Sequence, residues 1–289
     1  MNFFKKIFGV STESKEPTEE EKKAEEKKNF DILKYDGVKA LKVNQSAYAI
    51  ECFSHALEIK EDSEIRDYLS QAYMAIGELS KAYDQLQKLS ESHPDNIEIF
   101  IRMAHVAYMM EDYTVMSTAC EKALMIDKDS VRALYLYAKA CVGTDDTTNA
   151  VAMLSKAIIV DPEYADAYLL RGEVLLGDGQ LDEADTDAGF LLLKYPDNED
   201  ILMLKAKIES ARGNSGEAIG LFSKVIDANP FNAEAYRLRG ELRLHTGDET
   251  TGKADIDYAA ELAATDAEQG EGVEEKVKEA YSNVNPLGL

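Results

Sequence analysis

The chain has 289 residues, 45% hydrophobic and 30% charged, a balance that fits a folded protein and not a disordered one. Fifty-five Asp+Glu against thirty-two Lys+Arg leave a formal charge of −23, which repels a phosphate backbone, so no nucleic-acid partner is expected. No apolar run reaches the ~20 residues that span a bilayer, and three cysteines (Cys52, Cys120, Cys141) without C-x-x-C spacing support neither a disulfide framework nor a zinc ribbon, so a cytoplasmic location is expected.

Residues 1–10, MNFFKKIFGV, put Phe3, Phe4, Ile7 and Phe8 on one face of a helix. Lys5 and Lys6 interrupt the apolar residues and no small-residue cleavage site follows, so a secretory signal is not expected. Without glycine at position 2, neither is myristoylation. We read a short amphipathic head. It either leans on the body as an ordinary terminus, docks weakly to a membrane surface or a partner, or plugs the protein's own binding groove. Residues 11–29 are mostly Glu and Lys and read as a charged, solvated linker, transiently helical at most through Glu–Lys pairs. Seven lysines and seven glutamates cancel within residues 1–29, so the whole charge excess lies downstream.

From residue 30 a 34-residue period governs the chain. Pro94 precedes Pro162 by 68 residues, and Pro162, Pro196 and Pro230 follow at intervals of 34. Cutting on this period gives repeats at 30–62, 63–96, 97–130, 131–164, 165–198, 199–232 and 233–266. The eighth position is small throughout: Gly37, Ser70, Ala104, Ala138, Gly172, Ala206 and Gly240. The twentieth is small in all repeats but the third, where Met116 stands, and the twenty-fourth and twenty-seventh are apolar. Turn formers sit near the fifteenth position (Asn44, Gly77, Asp145, Gly179, Gly213, Gly247), and a second turn falls at positions 31–34. Each repeat therefore reads as two helices of about 13 residues, roughly 20 Å long. They approach closely where the small residues meet, and proline ends the second helix. No single pair can bury both apolar faces, so neighbours must stack.

These phases resemble the tetratricopeptide repeat (TPR) signature over residues 30–266. Arg66 at the fourth position of the second repeat, Met116, and Lys128 in place of a proline are local departures. The resemblance implies an all-α, right-handed α-solenoid (superhelix) of about seven TPR helix hairpins. Beyond it, in 267–289, Val273, Val277, Ala280 and Val284 form one apolar stripe, which we read as a capping helix over 272–284 with a loose tail.

The chain offers little chemistry. His55, His93, His105 and His245 lie in separate repeats, and no zinc, nucleotide or hydrolase motif appears, so no catalytic residue, metal or cofactor is expected. The acidic stretch 178–187 lacks the ligand alternation of a calcium loop and reads as a turn followed by an exposed helix face. Cys120 and Cys141 fall at core phases, as buried thiols would.

The TPR resemblance implies a concave groove lined by the first helices, commonly at phases two, five, nine, twelve and thirteen. Those phases include Ile101, Met109, Val142, Glu173, Met203 and Lys207. Across repeats three and four, Arg102, His105, Tyr108, Arg132, Tyr135 and Lys139 gather cations and aromatic rings against an acidic background. Arg and Tyr concentrate binding energy at interfaces, so these six form the candidate site for a protein or peptide partner. Of the pattern by which some family members clamp a terminal carboxylate, only Lys34 and Arg102 match, so that clamp is not expected. The expected function is a non-catalytic scaffold or adaptor that grips a partner segment in the groove. The alternative is an assembly or recruitment factor docked through FFKKIF.

Overall fold

The computed structural model describes residues 18–265. The head at 3–8, residues 11–17 of the linker, and the capping helix expected at 272–284 lie outside them. Thirteen helices are complete: α1 (Glu19–Lys42), α2 (Ser46–Ile59), α3 (Ser63–Ala75), α4 (Leu79–Ser92), α5 (Ile97–Met109), α6 (Tyr113–Ile126), α7 (Val131–Gly143), α8 (Thr147–Val160), α9 (Ala165–Gly177), α10 (Leu181–Lys194), α11 (Glu199–Ala211), α12 (Ser215–Ala228) and α13 (Ala233–His245). A fourteenth, α14, occupies 249–265, and no strand occurs among the described residues. Each helix packs on the next in the chain, and α1–α3, α5–α7 and α9–α11 also touch, which crowds the first helices onto the inner face of a right-handed α-solenoid.

From α3 onward every odd-numbered helix opens at position one of the 34-residue period and every even-numbered one at position seventeen. The turn between them needs one residue in the left-handed region. Gly77, Gly179, Gly213 and Gly247 take it at φ 75–91°, and Asn44, Glu111 and Asp145 take it at 55–58°. Glu111 fills the fifteenth position of the third repeat, the one where no turn former was evident in the sequence. Side-chain caps on Asp62, Asn96, Ser130, Asn198 and Asn232 start the first helices from the turn residues. Lys128 sits in the same turn as the prolines of other repeats, so proline is not required there.

The small residues meet as their phases demand. Ala49, Ala82, Met116, Ala150, Ala184 and Ala218 are fully buried. A Cβ on Gly240 would stand 2.8 Å from the Gly252 carbonyl oxygen, so in the last repeat the two backbones touch directly. The core runs along the axis, widest where α4–α7 enclose Leu86, Phe100, Met103, Met116 and Leu136.

Two differences from the sequence reading concern charge. First, α1 begins at Glu19, inside the stretch read as linker. Thr18 and Glu21 close a capping box, the Thr18 amide donating to Glu21 Oε2 at 2.8 Å, with three glutamates in the first turn against the helix dipole. Second, the stretch 178–187 turns at Gly179 but does not lead onto a wholly exposed face. Asp187 is 2% exposed and accepts two hydrogen bonds from Arg171, at 2.8 and 2.6 Å, while Arg171 also donates to Ser155 at 2.9 Å. The arrangement recurs 68 residues later with Arg239, Asp255 and Ser223 at 2.8–3.0 Å. Between them, Glu209 accepts from Lys205 at 2.6 Å and Asn214 at 2.7 Å, and Asp185 accepts from Arg212 at 2.8 Å and from Lys205.

Replacing Glu111 with glycine removes the left-handed penalty and stabilises the protein by about 0.5–1 kcal/mol, read as a higher Tm. Ala184→Leu overpacks the α9–α10 approach and costs roughly 1–3 kcal/mol; an unchanged Tm would contradict the assigned contact. Hydrogen bonds from Asn214 and then Lys205 hold the Glu209 carboxyl below the usual range. For Asp185 burial pushes upward, but Lys205 and Arg212 outweigh it and its carboxyl is also lowered. The stability they contribute is therefore present above the unfolded carboxylate value and lost as pH falls through the folded one. Tm should hold from neutrality to about pH 5 and drop below about pH 4, less steeply in Glu209→Gln.

Candidate functional site

α5 and α7 lie side by side on the inner face and carry all six candidate residues. Their spacing along each helix sets the outcome. Positions two, nine and twelve share the open face, whereas position six turns toward the neighbouring hairpin.

Lys139 is the centre of the cluster. Its ammonium lies 3.8 Å from the Tyr108 ring centroid and 6.0 Å from that of Tyr135, so it bridges the two helices through cation–π contacts. Tyr135 meets Tyr164 edge to face, with centroids 5.4 Å apart, and Tyr108 meets Tyr113 at 6.4 Å. Burial pushes the Tyr135 phenol up to about 12, with help from Asp166, Tyr164, Glu173 and Tyr108, so it stays neutral and available as a donor. His105 is exposed at the edge of this group. Partial desolvation by the neighbouring helices, then the charges of Arg132 and Lys139, lower its pKa and so favour the neutral ring.

The two arginines behave differently. Arg132 is exposed and donates to both Glu98 carboxylate oxygens, at 2.9 and 3.0 Å. An exposed pair of this kind contributes about 0–1 kcal/mol, so an incoming carboxylate can compete with Glu98 for it. Arg102, by contrast, is 11% exposed and donates to Asp67 and, at 2.7 Å, to Ser70 Oγ. Its guanidinium joins α3 to α5 and is not presented to the groove, because position six lies between hairpins. The structure thus brings His105, Tyr108, Arg132, Tyr135 and Lys139 together at the surface and sets Arg102 aside.

Other groove phases divide in the same way. Met109 and Val142 are exposed beside Tyr108, whereas Ile101 and Met203 are buried in the core. Lys207 pairs with Glu234 at 3.0 Å, and Lys34 with Glu64 at 2.6 Å, so cations along the inner face mostly span two repeats. Tyr164, which completes the aromatic group, stands at the thirty-fourth position, a turn phase that nothing in the sequence marks as part of a groove. Cys52, Cys120 and Cys141 are buried free thiols, and burial pushes that of Cys120 up to about 12. Among the described residues no cluster of His, Cys, Asp or Glu could hold a metal ion, and no helix is long and apolar enough to cross a membrane.

Comparison with known proteins agrees with this architecture. Two tetratricopeptide repeat models match residues 142–208 and 203–267. DnaJ homolog subfamily C member 3 of Bos taurus is 22% identical over 272 residues, covering 94% of this chain but 50% of its own. The chain therefore spans about half the length of that curated relative. A tetratricopeptide repeat protein from Parabacteroides merdae superposes with a TM-score of 0.67 at 17% identity, covering 81% of this chain and 93% of its own. YrrB, described as a TPR protein with an unusual peptide-binding site, superposes with a TM-score of 0.51 at 19% identity, covering 61% and 91%. At these identities the structures speak for the fold alone. With hairpins repeating every 34 residues, small residues at the helix approach and two matching repeat models, the chain is a tetratricopeptide repeat protein.

Proposed function

We propose that this chain is a non-catalytic scaffold that binds a protein segment across repeats three and four, on the inner face of α5 and α7. The observation that carries this is the Lys139 ammonium held between two tyrosine rings, with exposed Met109 and Val142 beside it, in a chain whose net charge is −23. A positive, aromatic, partly apolar surface on so acidic a body selects a segment that combines carboxylates with apolar side chains. Lys139 and Arg132 meet the carboxylates. Tyr108, Tyr135 and Met109 cover apolar groups, and the neutral Tyr135 hydroxyl and His105 donate or accept hydrogen bonds. Helical or extended segments both suit an open groove of parallel helices. The peptide-binding site described for YrrB, on a fold of the same kind, supports this reading.

The test is affinity capture with the full chain beside Arg132→Glu/Lys139→Glu. Proteins retained by the wild type should be lost from the variant, and purified partners should bind at least ~30-fold more weakly, as truncating a hot spot of about 2 kcal/mol requires. The same proteins in the same yield would place the binding surface elsewhere.

A further inference from the structure

The ninth position of each repeat lies on the open inner face, and from the fourth repeat onward it reads Lys139, Glu173, Lys207 and Glu241. Cation and carboxylate alternate along the groove. The last two are matched within the protein, Lys207 by Glu234 at 3.0 Å and Glu241 by Arg237 at 2.7 Å. The first two are not. Among the described residues the Lys139 ammonium meets tyrosine rings and no carboxylate, and the exposed Glu173 carboxylate has no cation within ion-pair distance.

These two groups share one floor. Tyr135, 6.0 Å from the Lys139 ammonium, has a phenol raised first by burial and then by the charges of Asp166 and Glu173, so the same ring feels both halves of the groove. Leu176, half-buried at the open twelfth position of α9, continues the apolar lining beyond Tyr108 and Tyr135. Partial desolvation pushes the Glu173 carboxyl up; Lys207 opposes this and Asp200 adds to it. A carboxylate that has lost water without gaining a direct partner is stabilised by an arriving cation.

Neighbouring helices pack about 8–10 Å apart, which sets the advance from one first helix to the next. Three residues of polyproline-type chain cover about 9 Å and return a side chain to the same face. Seven residues of helix do so over about 10 Å. Building on the groove reading above, we propose that the segment bound there is bipolar: a carboxylate side chain seats against Lys139 on repeat four, and a lysine or arginine seats against Glu173 on repeat five. The charge order fixes the register, because a shift by one repeat sets like charges together at both places. A purely acidic segment is disfavoured for the same reason, since it would meet Glu173 with Asp166 and Asp200 exposed around it.

The test pans the full chain against a random twelve-residue peptide library on phage, then measures the enriched peptides, resynthesised, by fluorescence anisotropy. They should carry an acid and a Lys or Arg three or seven residues apart. Glu173→Lys should weaken them at least ~10-fold, and exchanging the peptide's base for Glu should weaken binding to the wild type while restoring it to Glu173→Lys. A merely structural role for Glu173 would not give that rescue. Acidic peptides that need Lys139 but ignore Glu173→Lys would overturn the bipolar segment and leave the groove standing. Peptides indifferent to both Glu173→Lys and Arg132→Glu/Lys139→Glu, or no enrichment, would overturn both.

Discussion

Two helices can lie close enough to share one apolar seam only where neither puts a side chain between their backbones. Every hairpin of this protein has a small residue at its eighth position and all but the third, which carries Met116, at its twentieth, and the architecture follows from it. Because the approach is close, the connecting turn must be tight, and one residue in each turn takes the left-handed backbone. Because the turn is tight, the second helix returns along the first and the next repeat begins where the previous one began. The regular advance along the axis is the repetition of a single steric permission.

What holds successive hairpins together differs along the chain. Between α4 and α7 the joints are apolar, with Leu86, Phe100, Met103 and Leu136 filling the space. Toward the C-terminal half the joints keep an apolar seam, and polar contacts are added to it: Asp185 of α10 takes Lys205 of α11 and Arg212 at its C-cap, and Arg171 and Arg239 reach Ser155 and Ser223 of the preceding hairpin. Such groups rarely add net stability over a well-packed apolar alternative, but each is satisfied by several donors and each fixes which surfaces can meet. The candidate groove lies on the apolar part, where Arg132 and Lys139 are held only by exposed or aromatic partners across α5 and α7. Arg102 shows the distinction on a single helix: three residues from His105, it is spent on Asp67 and Ser70.

Much of this was legible in the sequence because the relevant signals are periodic. Small residues, prolines and glycines at a fixed phase report backbone geometry directly, and the helix starts fall where the phase puts them. The turn at Glu111 was not marked, since the neighbouring repeats impose the left-handed conformation there without help from the residue itself. The helical start at Glu19 was hidden by composition: a Glu/Lys run reads as solvated chain unless the Thr18–Glu21 box is given its weight. Side-chain partnerships were the least visible. Asp187 looks like any acid on an exposed turn of helix until Arg171 is placed opposite, and Tyr164 joins the groove from a turn that sequence phase assigns elsewhere. Those depend on which atoms meet across hairpins, and a one-dimensional period does not encode it.

The paired Arg–Asp–Ser arrangements have a consequence for how such an array comes apart. Asp187 is gripped from α9 while Arg171 reaches back to α8, and Asp255 is gripped by both Arg239 and Arg243 while Arg239 reaches back to α12. Separating α14 from α13 would part Asp255 from both guanidiniums at once, so these charge-assisted hydrogen bonds couple the opening of the two helices to each other and, through Ser223, to α12.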